Sequence, residues 1–204
     1  AIKYEGEIKN IHAACRLTYK TFDMIRQRIK IGASEKEIAW KIEKFIKENG
    51  GELAFDSIVA FGSNSSIPHH KTSNKKLTEK NQFVLLDFGA KVNGYCSDMT
   101  RTLLTKSASN ESHKMYETVR IAQQKAIEMV NSKLSMVNGR KIAKAVNEYV
   151  ASRGFDPVPH GLGHGIGLEV HESPRLSPKS KNKLVKGNVF TIEPGIYIPG
   201  FGGV

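Results

Sequence analysis

The chain has 204 residues, 39% apolar and 25% charged, a composition ordinary for a soluble globular protein with a sizeable core. No apolar run approaches the ~18 residues needed to span a bilayer, and the opening AIKYEGEIKN lacks an apolar signal region. The net charge of +11 raises the question of a nucleic-acid partner, but the lysines are spread along the chain among acids with few aromatics between them, so a solvated lysine-rich surface is the better reading. The two cysteines, Cys15 and Cys96, form no disulfide framework and no paired ligand spacing, so reduced thiols and a cytoplasmic setting are expected.

In chain order, apolar positions recur at helical spacing from about Gly6 to Lys30. Ser34 and Glu37 form a capping-box pattern that opens a second helix running to Glu48, where Asn49-Gly50-Gly51 stops it. FDSIVAFG, Phe55 to Gly62, reads as a strand, and Val84 to Thr102 reads as a hairpin. A third helix is expected from Ser112 to Leu134, and Asn138 is placed to cap a fourth over Gly139–Gly154, followed by a glycine-rich extended segment. The order repeats: an offset of 104 residues sets Ile38 on Ile142, Ile46 on Val150 and Gly50 on Gly154. The expectation is one α+β domain of two similar helix-helix-strand halves around a shared antiparallel sheet, with the site between them.

Within the hairpin, Asn93-Gly94 is the favoured pair for a two-residue turn, which sets Val92 opposite Tyr95 and, counting outward, Asp87 opposite Thr100. Side chains alternate along a strand, so Asp87 and Asp98 share a face as diagonal neighbours roughly 7 Å apart. Two acids among Val84, Leu85, Leu86 and Phe88 repel each other and lose solvation. Arg101 could pair with one, the two could share a proton, or both could bind metal. Elsewhere His160, His164 and His171 fall within HGLGHGIGLEVHESP, Glu193 ends the strand-like VFTIE, and IPHH adds His69 and His70. The glycines at 161, 163, 165 and 167 meet neither GxGxxG nor the Walker pattern; alternating with Leu162, His164 and Ile166, they suit an extended strand that another group approaches closely. No HExxH helix and no GxSxG elbow is present, which argues against a zincin and a serine hydrolase.

DFGAKVNGYCSDMTRT, GLGHGIGLEVHESP and EPGIYIPGFGGV closely resemble the catalytic domain of Xaa-Pro peptidases, the aminopeptidase P and prolidase group of the pita-bread metallopeptidases, over nearly the whole chain. The resemblance implies the pita-bread fold and two divalent metal ions. It makes Asp98 a bridging ligand, Asp87 a ligand to one ion, and His164 and Glu193 ligands to the other; this mostly oxygen set favours Mn²⁺, with Co²⁺, Fe²⁺ or Zn²⁺ as alternatives. It further implies a metal-bridging hydroxide as nucleophile, Glu193 as general base, and His69, His160 and His171 around the substrate. His70 matches no family role. The implied partners are peptides with proline at the second position, with no nucleic acid and no membrane, and a homodimer is left open. Two departures stand out. The family's fifth ligand, a bridging Glu, falls after the point where this sequence stops, and the usual N-terminal domain precedes the point where it starts, so residues 1–204 are expected to be an incomplete catalytic domain. Methionine aminopeptidase on the same fold is the alternative; a metal-free binding module of this fold and creatinase-like hydrolysis are disfavoured by the ligands present.

Overall fold

The computed structural model describes residues 2–132 and 138–204. Helices α1 (Glu5–Arg26) and α2 (Glu35–Glu48) are followed by the short strand β1 (Glu52–Leu53), β2 (Ile58–Phe61) and a 3₁₀ turn over Gly62–Ser66. Strands β3 (Phe83–Phe88), β4 (Ala90–Val92), β5 (Tyr95–Cys96) and β6 (Met99–Leu104) form the long hairpin. The second half comprises α3 (Asn110–Asn131), α4 (Gly139–Ser152), β7 (Gly163–Gly165), β8 (Glu172–Leu176), β9 (Tyr197–Ile198) and β10 (Gly202–Gly203). Every ladder is antiparallel, in the orders β1-β4-β5, β2-β3-β6, β7-β8 and β10-β9.

The repeat is physical. Ser34 Oγ accepts from Glu37 N–H and Asn138 Oδ1 from Lys141 N–H, so equivalent residues satisfy the orphan donors of α2 and α4. Both helices are 14 residues long, and each is followed by a glycine in the left-handed region, Gly50 at φ 79° and Gly154 at φ 86°. Four buried positions coincide: Glu35, Ile38, Ile42 and Ile46 in one, Gly139, Ile142, Val146 and Val150 in the other, with Ala143 buried in α4 where Ala39 of α2 is half-buried. Two cores form, one built on Ile38, Ile42, Val59, Phe61, Leu86 and Phe88, the other on Met115, Ile142, Val146, Leu162 and Leu176 together with Phe83 from β3 of the first half.

The first helix stops at Arg26, short of the expected Lys30; Ile29 still packs against the first core, but from the connecting segment, which turns through Gly32 at φ 91°. The strand expected over Phe55–Gly62 is confined to Ile58–Phe61. The last expected residues of the third helix, Lys133 and Leu134, lie outside the described residues. Cys96 is buried and Cys15 exposed, and both are free thiols. No described helix is long and apolar enough to cross a membrane.

Candidate metal and substrate site

The hairpin carries two of the acids, and its register is the expected one. Asn93 (φ 49°) and Gly94 (φ 81°) make a turn with both central residues left-handed, Val92 pairs with Tyr95, and Asp87 pairs with Thr100. Between the two ladders the strands come very close, since a Cβ on Gly89 would lie 1.9 Å from the Ser97 carbonyl oxygen. A buried hydroxyl pair holds this pinch to α1: Thr18 Oγ1 and Ser97 Oγ are 2.6 Å apart, and both accept from Ala90 N–H at 3.0 Å.

The second half supplies the other side. His164 sits mid-β7, and residues 189–193 run antiparallel beside it: Ile166 N–H donates to Val189 O, Thr191 N–H to His164 O and Glu193 N–H to Leu162 O. The glycines allow this packing, because a Cβ on Gly163 would meet Thr191 O at 2.1 Å and one on Gly165 would meet Ser173 O at 2.3 Å. Leu162 faces Glu193 here as Ile58 faces Asp87 in the first half, so the repeat supplies one acid from each side.

Asp98, His164 and Glu193 converge, with one ligand-type atom from each lying within 4.8 Å of the others. His164 Nε2 is 3.3 Å from Asp98 Oδ2 and 3.1 Å from Glu193 Oε1. His164 Nδ1 is 3.1 Å from Gly165 O, and a carbonyl only accepts, so Nδ1 carries the proton. The Nε2 lone pair of the neutral ring therefore faces two carboxylates, which favours a cation at Nε2, either a proton or a metal ion. Burial alone would lower the His164 pKa, but the Asp98 and Glu193 carboxylates outweigh it and raise it to about 10.

Asp87 stands beside this trio. Its Oδ1 is buried without a hydrogen-bond partner, and so is Glu193 Oε1, whose approach to His164 lacks hydrogen-bond alignment. Burial and the Asp98 charge lift the Asp87 carboxyl to about 7, against the Thr100 hydroxyl, which stabilises the anion. For Glu193, burial is outweighed by His164 and the Thr191 hydroxyl, which keep its pKa low. Orphaned buried carboxylate oxygens and an imidazole lone pair aimed at one point fit a divalent cation better than any partner among the described residues.

His69, His160 and His171 line the same cleft as this centre. The His171 ring lies 4.3 Å from that of His164, and burial together with the His164 charge lowers its pKa. Lys3 Nζ, 2.6 Å from Glu172 Oε2, ties down the loop beside His171. His160 donates through Nδ1 to Gly161 O at 2.8 Å, leaving Nε2 to accept from the Tyr197 hydroxyl at 3.1 Å. Exposed His69, in the left-handed region at φ 58°, lines the same cleft. His70 does not reach the cleft; it bonds Glu35 at 2.9 Å. Tyr197 went unpredicted. Burial and the Asp87 and Glu193 charges push it up to about 12, so it stays a donor at neutral pH. Arg175 also went unpredicted. Paired with His164 across the β7–β8 ladder, it shares that residue's face and lines the cleft, which measures about 1280 Å³.

An antiparallel α+β fold with a carboxylate-imidazole cluster at the junction of two repeated halves belongs to the pita-bread metallopeptidases. Residues 9–204 match Metallopeptidase family M24, and the chain is a member of that family. It is 42% identical over 205 residues to the Xaa-Pro dipeptidase of Pyrococcus horikoshii, an alignment covering 100% of this chain and 57% of that protein. It superimposes on the prolidase from Pyrococcus furiosus with a TM-score of 0.94 at 40% identity, covering 100% of this chain and 60% of that one. For the X-Pro aminopeptidase from Thermotoga maritima the TM-score is 0.93 at 36% identity, covering 100% and 57%. The chain thus spans little more than half the length of these relatives. The family is one of metallopeptidases.

Proposed function

We propose that the whole protein is a metal-dependent exopeptidase that hydrolyses the bond between an N-terminal residue and a following proline. The observation that carries this reading is the convergence of Asp98, His164 and Glu193 beside the orphaned Oδ1 of Asp87. In it, Asp87, Asp98, His164 and Glu193 would hold the metal ions; Mn²⁺ would suit this oxygen-rich set, with Co²⁺, Fe²⁺ or Zn²⁺ as alternatives. Bound there, divalent ions would supply a water of lowered pKa and a Lewis acid for the scissile carbonyl. Glu193 takes up a proton at its carboxylate. His171, whose burial disfavours the charged ring, donates to the developing oxyanion. His160, oriented through Gly161 and Tyr197, and His69, which lines the same cleft, contact the substrate. Arg175 offers a cation to the carboxylate of a short substrate. A cytoplasmic setting suits the two unpaired thiols.

The test offers the whole protein Mn²⁺ and peptides beginning Met-Ala, Ala-Ala and Ala-Pro-Ala. Cleavage that requires proline at the second position is expected. Release of Met from Met-Ala peptides without cleavage of Ala-Pro-Ala would assign methionine aminopeptidase activity instead, and a protein that binds no metal would be a binding module. For His171→Ala, kcat is expected to fall by about 10²–10³ with metal content unchanged, as for a lost oxyanion donor. Elemental analysis showing metal loss would make His171 a ligand and overturn its role.

A further inference from the structure

The buried stripe of α2 has one polar member. Glu35 is 0% exposed, and the repeat sets it on Gly139, against which the backbone of Arg175 and Leu176 packs directly. A carboxylate at a position that the other half fills with backbone carries a desolvation cost that donors must offset. Glu35 collects five. Oε1 accepts from Phe61 N–H at 2.9 Å and Asn64 Nδ2 at 2.7 Å; Oε2 accepts from His70 Nε2 at 2.9 Å, Ser73 N–H at 3.0 Å and Ser73 Oγ at 2.5 Å.

All five donors belong to the segment from the end of β2 to Ser73, which has little regular structure beyond one 3₁₀ turn. His69 lies inside it, in a backbone region that a non-glycine residue keeps only when its surroundings impose it. Its neighbour His70 is fixed on one side by Glu35 and on the other by its own N–H to Ile67 O at 3.1 Å. Asn64 extends the clamp to Lys75 Nζ at 3.1 Å. We propose that Glu35 is a positioning residue that holds His69 at the wall of the cleft, acting through His70 and Asn64.

This inference rests on the substrate role given to His69, and the test separates the two. In the whole protein, Glu35→Gln, His69→Ala and the double variant are compared on Ala-Pro-Ala with metal content measured throughout. Glu35→Gln is expected to lower kcat by roughly tenfold to a hundredfold, since small misplacements of a catalytic group cost that much, with metal content unchanged. In the His69→Ala background the same substitution should cost less than about twofold, because residues acting through one contact are not additive. A full loss in that background, or an unchanged kcat in the single variant, overturns the proposal. Ile42→Val, on the same stripe, should leave kcat unaltered and serves as the control for mere destabilisation. Amide exchange gives a readout independent of any substrate. Glu35→Gln should speed exchange over residues 62–73 by at least about tenfold while β3 stays protected, and no change would overturn the proposal even in a protein that cleaves no Xaa-Pro peptide. If Glu35→Gln does not fold, His70→Ala, which leaves Glu35 four donors, should show the same selective loss.

Discussion

Asp98→Ala is expected to abolish turnover and to empty the metal site together. Asp98 is the one acid of the hairpin within reach of His164, at 3.3 Å, and its charge is among the forces that lift Asp87. Without it, His164 keeps only Glu193 as an anionic neighbour in the converging trio, and the first half no longer contributes a carboxylate to that trio. Elemental analysis and Xaa-Pro cleavage by the purified variant of the whole protein check this. Near-normal Mn²⁺-dependent cleavage would sink the ligand assignment.

Gly89→Ala should be nearly as damaging without touching a charged group. The new methyl would lie 1.9 Å from Ser97 O and 3.0 Å from Phe55 Cε1, so the two strands must separate where they now pinch. Separation pulls Ala90 N–H from Thr18 and Ser97 and moves Asp87 and Asp98 apart. Overpacking against backbone in a buried hairpin costs about 3 kcal/mol, which for a chain of this size lowers Tm by roughly 10 °C. Calorimetry and metal titration should show both losses. A variant that melts within about 2 °C of the parent and binds metal normally would mean that the pinch is not needed.

Local signals made the hairpin and the repeat legible. Asn93-Gly94 selects a turn that fixes register, and register with a period of two puts Asp87 and Asp98 on one face. Ser34 and Asn138 announce helix starts, and Gly50 and Gly154 announce helix ends, because caps and left-handed glycines are set within one turn of chain. What escaped depends on partners far along the sequence. A glutamate in the first turn of a helix reads as a solvated acid near a positive dipole. Nothing near Glu35 says that it is buried, since its donors lie 26 to 38 residues on. Thr18 and Ser97, 79 residues apart, look like ordinary polar residues until α1 is laid on the hairpin. Tyr197, in an apolar run just after Glu193, was the easier miss to avoid, since a hydroxyl on a buried strand has to bond something.

Because Ile58 pairs with Asp87 as Leu162 meets Glu193, the two halves present like charges to each other at the same point of their sheets. Hydrophobic burial joins the halves through Phe83 and Leu104 of the first, which pack into the core of the second, while at the seam the charges of Asp87 and Glu193 oppose the union. A cation held there is therefore a tenon as well as a reagent: whatever binds the joined halves and not the separated ones adds its binding free energy to the joint. Metal affinity and the mutual alignment of the two halves are then linked, so a substitution that loosens the joint weakens the hold on the cation as well.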